Sequence, residues 1–390
     1  MTMRILYLTD GDLAPHKAPQ IHVSQFLKHW HRFGCEVLLR APRTRDVMPE
    51  FEFPHVWLPY SGIRLLGDWF FQRRIYRQLK KELQEKRWDV VYTRQISTFP
   101  ALYRLCQQFS VPVLCEVNGF LLENYQTGGA ATWKIRMVEK MEAAIMEASS
   151  LVIVPYEALK QRMMRHYQLA DDKIMVVENG VDPDVFCPLN QQDCRQSLGL
   201  ESDAIYIGYV GSFDFYHDME TIFESYKAIA KAVNRKVYFL MVGDGERKVE
   251  MERLADTLGI SAFVHFIGAV PNAQVPQYIN ACDVMLALQP KERLQKMGEA
   301  GFLKTREYLA CEVPVVLSHI QGEPYPFAES ACAYIEPESS MPLVDAVVKI
   351  VNHRLCLSSM RDEIVRHGSW AYSAEILNKR MQTLVENSDA

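Results

Sequence analysis

The chain has 390 residues, 48% of them hydrophobic and 23% charged, and carries a formal net charge of -5. That length exceeds one ordinary core and implies two domains of roughly 150–200 residues, in a globular composition without a disordered tail. The acidic balance argues against a general nucleic-acid binder, whose surface needs an excess of Lys and Arg.

The first apolar run, Ile5-Leu6-Tyr7-Leu8, is too short for a signal peptide and reads as a buried strand. No run approaches transmembrane length, so a cytoplasmic protein is expected. Nine cysteines are scattered without any CxxC pair, and several lie in apolar runs, as Cys115 does between Val113 and Val117. They read as reduced thiols used as small hydrophobes, with no zinc site.

Short β-branched runs alternate with longer helical patterns. Strands are predicted at 4–8, 35–41, 55–59, 88–94, 111–117, 151–155 and 173–178, then at 205–211, 236–243, 263–268, 283–288, 313–318 and 331–335. Alternation of this kind builds βαβ units and parallel sheets covered on both faces, hence two Rossmann-like domains. Gly180, Pro183 and Pro188 interrupt regular structure between the two series. From Trp370 to Glu386 the pattern is helical again.

Two segments of the second half carry chemistry. At Gly208-Tyr209-Val210-Gly211-Ser212 a strand ends in glycine, followed by a polar loop through His217 and a helix, which is a phosphate-facing turn at the carboxyl edge of a sheet. At Glu299-Ala300-Gly301-Phe302-Leu303-Lys304-Thr305-Arg306-Glu307 two carboxylates lie eight positions apart around the start of a helix. A helix N-terminus presents unpaired N–H groups and partial positive charge, which suit a phosphate. Carboxylates on either side can accept hydrogen bonds from sugar hydroxyls, so the segment suits a nucleotide-sugar. The plainer alternative is a solvated Glu307 paired with Lys304 at i,i+3, worth roughly 0.2–0.5 kcal/mol.

This segment resembles the E-x7-E donor motif of the family-4 glycosyltransferases, with its Lys-x-x-Glu-Tyr-x-Ala run at Lys304, Glu307, Tyr308 and Ala310. Asn179-Gly180-Val181-Asp182 with Phe186 and Pro188 is similar to the hinge of GT-B proteins. Gly368-Ser369-Trp370 is similar to the entry of their last helix. The resemblance implies an α/β GT-B fold of two facing Rossmann-like domains with parallel sheets. It places an acceptor-side domain at 1–182, a nucleotide-sugar domain at 183–368, and a helix at 369–390 crossing back to the first, with the active site in the cleft. It implies transfer of a sugar from a UDP- or GDP-linked donor to a saccharide, lipid-linked or small-molecule acceptor, with retention, no metal, and no cofactor beyond the donor.

By that resemblance Glu299, Asn118 and Lys304 are the candidate catalytic residues. Gly211, Ser212, His217, Val270, Gly301, Phe302, Leu303 and Glu307 are the donor-binding candidates. Glu299 would hold hexose hydroxyls, Glu307 the ribose diol, the Gly211-Ser212 turn and the 301–304 backbone the diphosphate, and Val270 the base. The chain departs from the family at Ser212 and His217, where Arg and Lys are frequent, so that His217 is expected to supply charge as imidazolium. It departs again at Asn118, where many relatives carry His, and at Pro19-Gln20, where a glycine pair is usual. Arg94, Lys17 and His22 are further candidates in the first domain. Two alternatives share the architecture: a nucleotide-sugar epimerase, and a nucleotide-sugar-binding protein without transferase activity. A dinucleotide oxidoreductase is disfavoured by the absence of GxGxxG.

Residues 64–81 join Trp69, Phe70 and Phe71 to a dense set of Arg and Lys. A basic amphipathic helix of this kind can lie on an anionic membrane surface. The alternative is an ordinary domain helix with Leu66, Phe70, Ile75 and Leu79 as its core face and the cations solvated.

Overall fold

The structure is a computed structural model; it describes the chain except residues 1, 15–17, 61–65, 95, 97–98, 128, 298–302, 320–331, 354–357 and 390. It divides into two units, one formed by 1–178 with 370–390 and the other by 179–369.

In the first unit seven parallel strands stand in the order β3-β2-β1-β4-β5-β6-β7. They are β1 (Arg4–Thr9), β2 (Glu36–Arg43), β3 (His55–Pro59), β4 (Val90–Arg94), β5 (Val113–Glu116), β6 (Leu151–Val154) and β7 (Ile174–Val176). Each follows one of the predicted apolar runs, because a parallel strand covered on both faces needs apolar side chains in both directions. Tyr7 and Tyr92, neighbours in register on β1 and β4, stack with ring centroids 4.9 Å apart, and Trp30 meets Tyr92 edge-on at 5.2 Å.

The helix Trp370–Asp389 belongs to this unit, although the whole second unit precedes it in the chain. Trp370 is buried against His22 and Phe26, Trp30 donates its indole N–H to the Ala374 carbonyl at 3.2 Å, and Ser373 donates to the Glu178 carbonyl at 2.7 Å. Burial of this large aromatic ring ties the chain's last helix to the helix Ala18–Arg32.

The helix Leu66–Gln84 buries Phe71, Ile75, Leu79 and Leu83, an i,i+4 stripe. The alternative core face placed Phe70 inward; Phe70 is instead 58% exposed, on the side of Arg73, Arg74 and Arg77. The difference is one step of about 100° around a helix, and the stripe that continues furthest decides it.

The second unit has six parallel strands in the order β10-β9-β8-β11-β12-β13. They are β8 (Ile205–Val210), β9 (Val237–Val242), β10 (Val264–Gly268), β11 (Val284–Ala287), β12 (Val315–Ser318) and β13 (Cys332–Ile335). This is the doubly wound Rossmann order, in which the chain reverses direction across the sheet between β8 and β11, and ligands bind beyond the carboxyl ends at that switch point. Alternate residues of β11 enter two separate cores. Val284 and Leu286 pack with the helices Met219–Val233 and Ser340–His353, whereas Met285 and Ala287 pack with the helix Leu303–Ala310. The fold is GT-B, two Rossmann-like α/β units with parallel sheets and a last helix returned to the first unit.

Candidate functional site

At the carboxyl end of β8 the chain turns at Gly211, whose N–H donates to the Val242 carbonyl at 2.9 Å. A Cβ at 211 would meet the Lys304 ammonium and lie 2.7 Å from the Tyr209 hydroxyl, so a side chain there would displace these two side-chain ends. At Gly243 the need for glycine is steric: a Cβ there would run into the Gly211 carbonyl, a backbone atom that cannot move aside, and φ is +137°. The two glycines bring the backbone turns after β8 and β9 into contact.

Lys304 enters the space left at Gly211 from the first turn of the helix Leu303–Ala310. Its ammonium donates to His217 Nε2 at 3.2 Å and to the Tyr209 hydroxyl at 3.3 Å, and lies 4.5 Å from the Tyr209 ring centroid. The bond to Nε2 assigns the ring the neutral Nδ1–H tautomer. Tyr209 donates onward to the Ser212 carbonyl at 2.6 Å, and exposed Ser212 donates to Asp214 at 2.6 Å. Tyr308, one position beyond Glu307, fastens the helix to β8: its hydroxyl accepts from the Val210 N–H and donates to the Val210 carbonyl, each at 3.0 Å.

Charge in this cluster differs from the expectation. Burial, then Lys304 and Arg293, lower the His217 pKa to about 2, so the ring is neutral and the expected imidazolium is absent. Burial lowers Lys304 to about 7, with Asp214 opposing the shift. Burial raises half-buried Glu307 to about 8, with Lys304 opposing. The cation here is Lys304; His217 is its hydrogen-bond acceptor.

The donor candidates Gly211, Ser212 and His217 are brought together with the catalytic candidate Lys304. Glu307 lies one turn along from Lys304, and Leu303 begins that helix. Val270 is half-buried and packs on the core layer that contains Tyr308. Glu299, Gly301 and Phe302 lie outside the described residues. Two contributors escaped sequence reading. Tyr209 is a strand aromatic with no motif signal of its own. Arg293 stands 4.7 Å from the Tyr216 ring centroid, donates to the Tyr216 carbonyl at 2.9 Å, and lies outside any motif.

In the first unit a second polar cluster forms at the carboxyl ends of β4 and β5. Buried Glu116 accepts from the Tyr92 hydroxyl at 2.8 Å, Arg94 Nε at 2.9 Å and the Asn118 amide at 3.3 Å, and faces His22 Nε2 at 3.2 Å. Burial works against its charge, but the Arg94 guanidinium and the Tyr92 hydroxyl outweigh it and hold the carboxyl below its usual range. Burial, with Arg94 adding, lowers His22 to about 4, so His22 is neutral. Asn118, Arg94 and His22 thus meet at one carboxylate, whose hub role the sequence did not signal. Lys17 lies outside the described residues. Among the described residues no group of His, Cys, Asp and Glu could hold a metal ion, and no helix is long and apolar enough to cross a membrane.

Comparison with known proteins bears on this geometry. Residues 190–368 match the family described as Glycosyl transferases group 1, and residues 20–185 match Glycosyltransferase Family 4. The chain belongs to this glycosyltransferase family. An uncharacterized glycosyltransferase of Methanocaldococcus jannaschii is 24% identical over 199 residues, covering 50% of this chain and 49% of the relative. The D-inositol 3-phosphate glycosyltransferase of Mycolicibacterium smegmatis is 24% identical over 241 residues, 60% of this chain and 53% of the relative. The chain thus spans about half the length of the curated relatives it matches. Among solved structures, sucrose-phosphate synthase from Thermosynechococcus elongatus aligns with a TM-score of 0.77 and 19% identity, covering 99% of this chain and 100% of that one. Anabaena HepE in complex with UDP and glucose aligns with a TM-score of 0.73 and 14% identity, over 98% and 100%. Both share the GT-B fold with this family member.

The electrostatics of the cluster make a direct prediction. In protein labelled with ¹⁵N at histidine, the His217 ring stays neutral from about pH 5 to about pH 8. In Lys304→Met, where the second cause of its shift is removed, its pKa rises. A His217 resonance titrating near 6.5, or one unmoved by the substitution, contradicts this account.

Proposed function

We propose that the protein transfers a sugar from a nucleoside diphosphate sugar to an acceptor hydroxyl, with retention and without a metal ion. The observation that carries this reading is the Lys304 ammonium at the Gly211 turn, with Glu307 one turn further along the same helix. The UDP and glucose bound by the structurally similar HepE support a donor of this class.

The bond from the anomeric carbon to the diphosphate oxygen breaks, a bond from that carbon to the acceptor oxygen forms on the same face, and the acceptor proton passes to the departing diphosphate. Charge builds on the leaving group. The Lys304 ammonium and the amides at the start of the helix Leu303–Ala310 are fixed beforehand where that charge develops, so they lower the barrier without reorganising. Glu307 accepts from the ribose diol, Val270 packs on the base, and Glu299 holds hydroxyls of the hexose, as the motif implies. In the first unit the Glu116 hub fixes the Asn118 amide, whose remaining N–H and carbonyl contact the acceptor. That acceptor is a saccharide, a lipid-linked glycan or a small molecule. Incubation with donor alone and then with acceptor separates a transferase from an epimerase, and the anomeric coupling constant of the product reports retention.

Removing one partner of a buried hydrogen bond strands the other at a cost of about 1–3 kcal/mol, or roughly tenfold in affinity. Glu307→Ala and Lys304→Met are therefore each expected to weaken donor binding by about tenfold or more in calorimetry, in proteins whose circular dichroism is unchanged. Unaltered affinity in both folded variants removes the proposal's support.

We further propose that the helix Leu66–Gln84 touches an anionic membrane surface. Its outer face shows Phe70, Arg73, Arg74 and Arg77 around an open depression of 870 Å³ that also includes Pro59 and Tyr60. Each cation near such a surface contributes about 1 kcal/mol at low salt. Sedimentation with phosphatidylserine-containing vesicles is expected at low ionic strength and lost in a variant with Arg73, Arg74 and Arg77 all changed to Glu. No sedimentation, or sedimentation indifferent to these changes, points to a soluble acceptor.

A further inference from the structure

Two polar side chains near the Lys304 cluster are buried without partners. Gln289 follows β11 beyond its carboxyl end and is 1% exposed, yet neither its amide oxygen nor its amide nitrogen has a hydrogen-bond partner. Thr305, also 1% exposed, is the residue after Lys304, and its hydroxyl has no partner either. Buried amides and hydroxyls are satisfied in the large majority of cases, so each exception asks for an explanation. Two exceptions at one edge of one sheet ask for a common one.

The chain path places both at the switch point. The Leu288 carbonyl accepts from the Asp218 N–H at 3.2 Å, which joins the end of β11 to the loop that carries His217. The Gln289 N–H donates to Ser318 Oγ at 2.9 Å, so the backbone at this position is held. Val284, Leu286 and Leu288 pack in one core and Met285 and Ala287 in the other, and Gln289 comes two residues after the last residue of the strand. That second layer is the one covered by the helix Leu303–Ala310, which packs on β11 and β12. Thr305 lies in that helix's first turn, three and four positions before buried Tyr308 and Leu309, and so on its sheet-facing side.

We propose that Gln289 and Thr305 are specificity-determining residues that bind hydroxyls of the transferred sugar. The inference rests on the nucleotide-sugar reading above and names which groups of this chain read the sugar. The chemistry favours a hydroxyl over a phosphate. A phosphate only accepts hydrogen bonds, and would leave the Gln289 oxygen unsatisfied. A sugar hydroxyl both donates and accepts, so one or two neighbouring hydroxyls satisfy the amide at both ends and the threonine hydroxyl with it. The Lys304 ammonium, on the residue before Thr305, takes the charged part of the donor, leaving the neutral pair to the neutral part. A site built to hydrogen-bond a substrate hydroxyl discriminates strongly against ligands that lack it or misplace it, because its own polar groups are then stranded.

The test compares nucleotide with nucleotide-sugar in wild type, Gln289→Met and Thr305→Val, two substitutions that keep volume and remove the polar atoms. Calorimetry gives Kd for UDP, UDP-glucose, GDP and GDP-mannose. For the pair that wild type binds best, the expected result is an unchanged Kd for the diphosphate and a nucleotide-sugar Kd raised by about tenfold or more in each variant. An equal ratio of the two Kd values in wild type and variants overturns the proposal, and means that the amide and hydroxyl hold buried water only. Should one variant fail to fold, the ratio in the other decides. Failure of wild type to bind any of the four contradicts the donor reading itself, and this assignment with it.

Discussion

The Lys304 ammonium occupies the space that a side chain at position 211 would fill. Gly211 and Gly243 let two backbone turns touch, and the space above them admits a cation that would otherwise meet a Cβ. Around that cation the neighbouring groups fall into order: Tyr209 lies beneath it, His217 accepts its proton bond, and Tyr308 holds its helix to β8. Burial then makes the ammonium costly, and an anionic ligand relieves that cost. A site held in this state gains more from a diphosphate than a solvated lysine would.

The first unit solves a similar problem with the opposite sign. Its buried charge is a carboxylate, Glu116, and the groups that compensate it arrive from three elements: Tyr92 and Arg94 from β4, His22 from the helix Ala18–Arg32, and Asn118 from the turn after β5. His22 is backed in turn by Trp370, so the helix that ends the chain also supports this cluster. In both units the polar groups collect at the carboxyl ends of parallel strands, where the strands stop and the loops begin.

Much of this was legible in the sequence. The strands were readable because a parallel sheet covered on both faces demands continuous apolar runs, and the same demand recurs thirteen times between Gly, Pro and polar breaks. Lys304 and Glu307 were readable as a pair because i,i+3 spacing fixes neighbours on a helix whatever surrounds it. The state of His217 was not, because its neutrality depends on burial and on Lys304, 87 positions away in the chain. Nor was the role of Glu116, which looks like an ordinary strand end until three distant segments converge on it. Phe70 and Phe71 differ by one step around a helix, and only the continuation through Leu79 and Leu83 tells which faces the core. Glu299, Gly301 and Phe302, the remainder of the motif, lie outside the described residues.

The central claim is that Lys304, titrating near 7 in the free protein, is the cation that meets the donor's diphosphate. An anion beside it raises its pKa in the complex. Affinity is then fully present below the free value, falls as pH rises through the window between the free and bound values, and levels off above it. In that window binding must draw a proton from solution. Calorimetry of UDP-glucose or GDP-mannose binding at about pH 8, in buffers of different ionisation enthalpy, measures this uptake directly. In protein carrying Glu307→Gln, which removes the other group that titrates near this pH, the account predicts uptake of a large fraction of one proton per site, abolished when Lys304→Arg is added, because the guanidinium is charged throughout. Binding with no proton uptake in the Glu307→Gln protein, or uptake that survives the arginine substitution, would contradict it.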